Sequence, residues 1–132
     1  MNKRRGVNVV ESFDDSVPIY QQIVEKIKKR ILSGILEAGE KVKSVRELAF
    51  EMGVNPNTMQ KALAVLEAES LLHSERTAGR YVTSNKEIIE KMKGEIMKKE
   101  VENFIKSMEN LGYDPEQVID LINQYVKELR KK

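Results

Sequence analysis

Tyr20, Ile23, Val24, Ile27 and Ile31 recur at helical spacing between Gln, Glu and Lys, which predicts an amphipathic helix burying one apolar stripe. Pro18 stands at its start, where a fixed φ and a missing N–H are harmless. Ser33-Gly34 marks its end, and Ala38-Gly39-Glu40 reads as a turn. A second, shorter helix opens at Ser44-Val45-Arg46-Glu47, a capping box in which the serine hydroxyl and the glutamate carboxylate satisfy two orphan amides. It carries Leu48 and Ala49 and stops at Gly53, a residue suited to a left-handed helix end. Asn55 and Pro56 start a third helix almost at once, and Thr58, Met59, Ala62, Leu63, Val65 and Leu66 follow.

Beyond it, Leu71–Glu75 and Tyr81–Thr83 flank a turn at Ala78-Gly79 and read as a small hairpin. The remainder is helical. Ser84-Asn85-Lys86-Glu87 is a second expected capping box. Met97, Val101, Phe104, Met108 and Leu111 step by four, three, four and three, the spacing of a coiled-coil seam. Gly112 breaks that helix, and Asp114-Pro115-Glu116-Gln117 begins another, along which Val118, Ile122, Tyr125 and Leu129 repeat the seam. Two helices alone cannot cover both stripes, so a second copy of the chain is the expected partner.

Composition sharpens this picture by exclusion. The 132 residues hold no cysteine, so disulfides and thiolate metal sites are impossible, and a single histidine, His73, reads as a packing residue. No phosphate-binding glycine loop or metal-spaced cluster is present, and neither catalysis nor a cofactor is expected. Lys3, Arg4 and Arg5 are followed by Glu11, Asp14 and Asp15 where a signal peptide needs an apolar core, and no apolar run approaches a membrane span of about 20 residues. The expected location is cytoplasmic. The net charge of +2 is too small to identify a partner, because placement on the surface decides binding.

The element order of helix, short helix, tight turn, helix and hairpin is that of a helix-turn-helix with a wing. On the third helix Met59, Leu63 and Leu66 point inward, whereas Asn57, Gln60, Lys61 and Ala64 share the opposite face. Asn and Gln suit adenine edges, and Lys suits guanine or phosphate. Arg76 and Arg80, on or near the hairpin tip, suit phosphates or a narrow minor groove. The fold expected is therefore mainly α (α+β): a winged helix-turn-helix domain over residues 1–84 and a helical dimerisation segment, a two-helix hairpin, over 85–132.

The residues also resemble a known family. Pro18-Ile19-Tyr20-Gln21-Gln22-Ile23 and the later Gly34-x-Leu36-x-Ala38-Gly39-Glu40-Lys41 resemble the opening of the GntR regulators. Ser44–Ala49 followed by Gly53–Thr58 is similar to that family's most distinctive stretch, and Leu66–Leu71 and Gly79–Val82 to its closing segment. The short tail is similar to the YtrA-type branch. This resemblance implies a transcription regulator, and it implies DNA contacts at Arg46, Asn55, Asn57, Thr58, Gln60 and Arg76. The chain departs from the pattern at Ala38, Val42-Lys43, Ser70 and Thr77. The last stands where the wing usually has Gly, which implies a shallower wing contact.

The function expected is a sequence-specific DNA-binding regulator, a repressor, acting as a homodimer on a two-fold symmetric operator. A two-helix tail offers little room for a pocket, so either a small-molecule effector binds between the winged domain and the tail, or control is by abundance or a partner. The rival reading is a protein-interaction module that uses a winged scaffold without DNA.

Overall fold

The computed structural model describes residues 12–131, so Lys3, Arg4, Arg5 and Glu11, used above to argue against a signal peptide, lie outside the described residues. Helix α1 (Ile19–Leu32) buries Ile23, Val24, Ile27 and Ile31, four of the five expected stripe residues, and leaves Tyr20 half-exposed. Pro18 caps it from outside the first turn, with an extended ψ of 137°. Helix α2 (Val45–Met52) forms the expected box: Ser44 Oγ accepts from the Glu47 N–H at 3.2 Å, and Glu47 Oε1 accepts from the Ser44 N–H at 3.0 Å. Those two serine groups hold the Glu47 carboxyl below its ordinary value, the backbone N–H contributing most. Gly53, at φ 67°, ends α2.

Helix α3 (Pro56–Ala68) follows after three residues, capped by Asn55 Oδ1, which accepts from the Asn57 N–H at 2.7 Å. It buries Met59, Ala62, Leu63 and Leu66 and packs against α1 and α2. Full burial of each of the larger side chains stabilises the fold by about 1.5–3 kcal/mol, so this inner face anchors the three-helix core. Lys28 of α1 adds an ion pair to Glu69 at 3.0 Å just beyond the helix end.

α3 ends without the glycine that its geometry favours. Ser70 occupies the left-handed region at φ 65° while its N–H bonds Glu67 O and the Leu71 N–H bonds Leu66 O, both at 3.0 Å. This double bond pattern is the Schellman close, normally reserved for Gly. An L-residue there is strained by the approach of its Cβ to the carbonyl. Ser70→Gly is therefore expected to stabilise the chain by roughly 0.5–1 kcal/mol, read as a rise in the thermal midpoint. A midpoint that falls would show that the serine side chain contributes a contact outweighing the strain.

The wing consists of β1 (Leu72–Glu75) and β2 (Gly79–Val82), antiparallel with Leu72 opposite Val82 and Ser74 opposite Arg80. Its turn closes through the Ala78 N–H on Glu75 O at 3.2 Å, with Gly79 at φ 98°. The left-handed residue of this turn is thus Gly79, and Thr77 stands at its exposed tip in an ordinary conformation. A third run, unmarked by any local pattern, joins this pair. Residues 39–42 pair along the free edge of β2: the Gly39 N–H bonds Val82 O at 3.1 Å, the Val82 N–H bonds Glu40 O at 2.8 Å, and the Val42 N–H bonds Arg80 O at 2.9 Å.

The described chain forms two compact units, the second starting at Met92 within α4 (Lys86–Asn110). The expected cap at Ser84 is replaced by one at Asn85, whose Oδ1 accepts from the Glu87 N–H at 3.0 Å. Buried Thr83 fixes this start. Its backbone N–H is held by Leu71 O at 2.9 Å, and its Oγ1 accepts from the Asn85 N–H at 3.1 Å. α4 ends in a second Schellman close at Gly112 (φ 95°), and α5 (Pro115–Arg130) starts with an Asp114–Gln117 capping box. Of the expected seam, Met97, Val101, Phe104, Leu111, Ile122, Tyr125 and Leu129 are exposed, and Met108 is half-buried. Val118 departs from that expectation: at 3% exposure it is already buried within its own chain, which leaves it nothing to offer a partner. Among the described residues no helix is long and apolar enough to cross a membrane.

Candidate nucleic-acid interface

The elements that bury α3's inner face turn its other face outward. Asn57, Gln60, Lys61 and Ala64 are all exposed there, whereas Met59 and Leu63 are fully buried. Thr58 is half-buried, and Asn55 is exposed with its side-chain oxygen committed to the cap. The Asn55 amide N–H groups stay available, so capping and donation to a ligand are compatible. The Lys61 ammonium rests 4.1 Å from the centroid of the Tyr20 ring, a cation–π contact that pins its stem between α1 and α3.

Arg46, in the first turn of α2, is exposed and carries no ion pair among the described residues. The acidic neighbour Glu51, which could have held it, pairs instead with Lys43. An open groove separates the N-terminus of α2 from the wing, lined on one side by Lys41, Lys43 and Ser44 and on the other by Arg76 and Thr77. Arg76 is exposed in the hairpin turn and unpaired among the described residues. Lys41 is a further basic group of this groove that the sequence reading passed over. Only the pairing of residues 39–42 with β2 brings it there, and no local pattern signals that pairing.

Arg80 is placed differently from the expectation of a wing contact. It lies one residue inside β2, its side chain only 18% exposed, and its Nε donates to Glu67 Oε1 at 2.6 Å. Glu67 Oε2 also accepts from Ser74 Oγ at 2.9 Å. The Arg80 hydrogen bond, helped by Ser74 and opposed by burial, holds the Glu67 carboxyl below its ordinary value of 4.5. A depressed carboxylate contributes stability above its unfolded value and loses that contribution as the pH falls through the lower folded value. The clamp is therefore complete at neutral pH and fails only in acid.

His73 is exposed and stacks on Tyr81 across the hairpin, with centroids 6.0 Å apart, while its Nε2 lies 3.2 Å from Glu75 Oε1. That is a packing role on the wing surface. Among the described residues no group of three or more His, Cys, Asp or Glu could hold a metal.

An outward polar face on the second helix of a tight helix pair, braced by the first and flanked by a wing, defines a winged helix-turn-helix regulator of the DNA-binding class. Residues 19–82 match the family model described as "Bacterial regulatory proteins, gntR family". The chain is 32% identical over 115 residues to the "Uncharacterized HTH-type transcriptional regulator YhcF" of Bacillus subtilis, covering 87% of this chain and 95% of that protein. It is 34% identical over 115 residues to the "HTH-type transcriptional repressor YtrA" of the same organism, covering 86% and 85%. Its fold matches that of a GntR family transcriptional regulator from Listeria monocytogenes, with TM-score 0.78, 45% identity, and 85% and 98% of the two chains covered. The chain belongs to the GntR family of transcription regulators.

Proposed function

We propose that the chain acts as a homodimeric repressor on a two-fold symmetric operator, with α3 lying in the major groove of each half-site. The observation that carries this reading is the outward face of α3, where Asn57 and Gln60 are exposed beside an unpaired Arg46. Exposed amide and guanidinium groups that the chain itself does not engage can bond base edges and phosphates, and here they share one surface. Arg46, Asn57, Gln60, Asn55 and Thr58 would supply base and backbone contacts from the two helices, with Arg76, Lys41 and Lys61 on phosphate. Phosphate contacts supply affinity and register, and base contacts supply sequence choice. Repression is the activity named for the YtrA relative. The apolar faces that α4 and α5 leave open supply the surface for a second copy, and half-sites would then lie about 10 base pairs apart or a multiple of that.

A salt titration tests the reading. Binding to a random duplex should weaken steeply as salt rises, because each neutralised phosphate releases counterions. Flat behaviour, or no binding in dilute buffer, would favour the interaction-module reading instead. Selection from a random pool should then return a palindromic site. Lys61→Ala is expected to weaken every duplex alike and to lower the salt slope by about one. A loss confined to the selected site would give Lys61 a base contact instead.

A further inference from the structure

Glu67 sits on α3, one residue before its end, and reaches both strands of the wing. Ser74 of β1 and Arg80 of β2, which it holds at 2.9 and 2.6 Å, are directly opposite one another in the hairpin. One carboxylate on the helix that carries Asn57 and Gln60 therefore grips a whole rung of the wing. Both side chains are largely withdrawn from solvent, Glu67 at 28% and Arg80 at 18% exposure.

We propose that Glu67 is the positioning residue of the DNA interface, fixing the angle between the wing and α3, and that Arg80 acts through Glu67 rather than on the duplex. This rests on the DNA-binding reading above. A two-stranded hairpin holds its own orientation poorly. The pairing of residues 39–42 ties its β2 edge and buried Leu72 and Val82 anchor its base, so the pivot that remains is that of the outer rungs, Ser74–Arg80 and Glu75–Gly79. A carboxylate that accepts from both strands at once removes the pivot, because charge-assisted bonds are short and directional.

Simple electrostatics makes the opposite prediction for this residue. Removing a negative charge from a protein surface that approaches phosphates should tighten binding. If the clamp sets the wing, removing that charge weakens it. The sign of the effect therefore separates positioning from bulk charge.

The full chain is compared with Glu67→Ala, Arg80→Ala and the double variant, with Glu67→Gln as a milder change should the alanine variant fold poorly. Binding to the selected operator is measured across a range of salt, and amide hydrogen exchange is followed in each free protein. Glu67→Ala and Arg80→Ala should each weaken operator binding about tenfold, and the double variant should lose no more than either alone. Their salt slopes should match the wild type, since no phosphate contact is lost. Amides of β1 and β2 should exchange faster in each variant while those buried in α1 and α3 keep their protection. Tighter or unchanged operator binding by Glu67→Ala overturns the proposal, as does a salt slope lowered by one in Arg80→Ala alone. A wild-type chain that binds no duplex overturns the DNA reading and leaves the exchange experiment to decide the clamp by itself. Unaltered wing exchange in Glu67→Ala then refutes it.

Discussion

Replacing both Phe104 and Ile122 with glutamate is expected to turn a dimer into a monomer and to weaken operator binding by about a hundredfold or more. Both side chains are 44% exposed in the single chain, so the substitutions remove little from the chain's own packing and helicity should survive. In a dimer the same positions would lose about 1.5–3 kcal/mol of burial each, and four carboxylates would be forced into an apolar seam. The loss on DNA is larger than the loss of any one contact, because two linked winged domains bind with an avidity about 10²–10⁴ above that of one. Sedimentation of the variant, followed by titration onto the full palindrome and onto one half-site, checks both parts. A variant that stays dimeric would move the interface elsewhere. One that becomes monomeric yet binds the palindrome undiminished would show that pairing is dispensable.

Arg46→Ala should produce the next largest effect. If its guanidinium reads a guanine through a two-point contact, the change costs about 1–3 kcal/mol on the operator and much less on random duplex. The side chain is free of ion pairs among the described residues, so its removal should leave the thermal midpoint nearly unchanged. Binding of both duplexes at one salt concentration gives the comparison. Equal losses on the two would assign Arg46 to the phosphate backbone.

Much of the candidate interface is legible in the sequence because its geometry is written in local patterns. The two faces of α3, the capping box at Ser44 and the helix ends at Gly53 and Gly112 each depend on residues within a few positions of one another. What stayed hidden depends on distant groups. Arg80 looks like a spare arginine beside a turn until Glu67, thirteen residues earlier, is folded against it. Lys41 joins the groove only through backbone pairing, to which its side-chain type contributes nothing. The start of α4 was misplaced by one residue because Ser84 and Asn85 are both good caps, and the choice was made by Thr83, which is tied to Leu71. Ser70 shows the converse. The usual glycine is missing, yet the Schellman bonds form anyway because Leu66 and Leu71 are both fully buried and hold the chain on either side.

The strip of chain that leads into α2 is also the backbone that flanks the hairpin along β2, so a tug on one is transmitted to the other. Val42, anchored to Arg80 O, stands two residues before the serine that caps α2. On the DNA-binding reading proposed above, a duplex whose minor groove is the wrong width, and so strains the clamped hairpin, would also strain the mouth of that helix and with it the neighbourhood of Arg46. Mismatch in shape under the wing would thus be felt as poorer base reading in the adjoining major groove. Operator variants altered only in flanking, untouched base pairs should discriminate less once Val42 is uncoupled from β2.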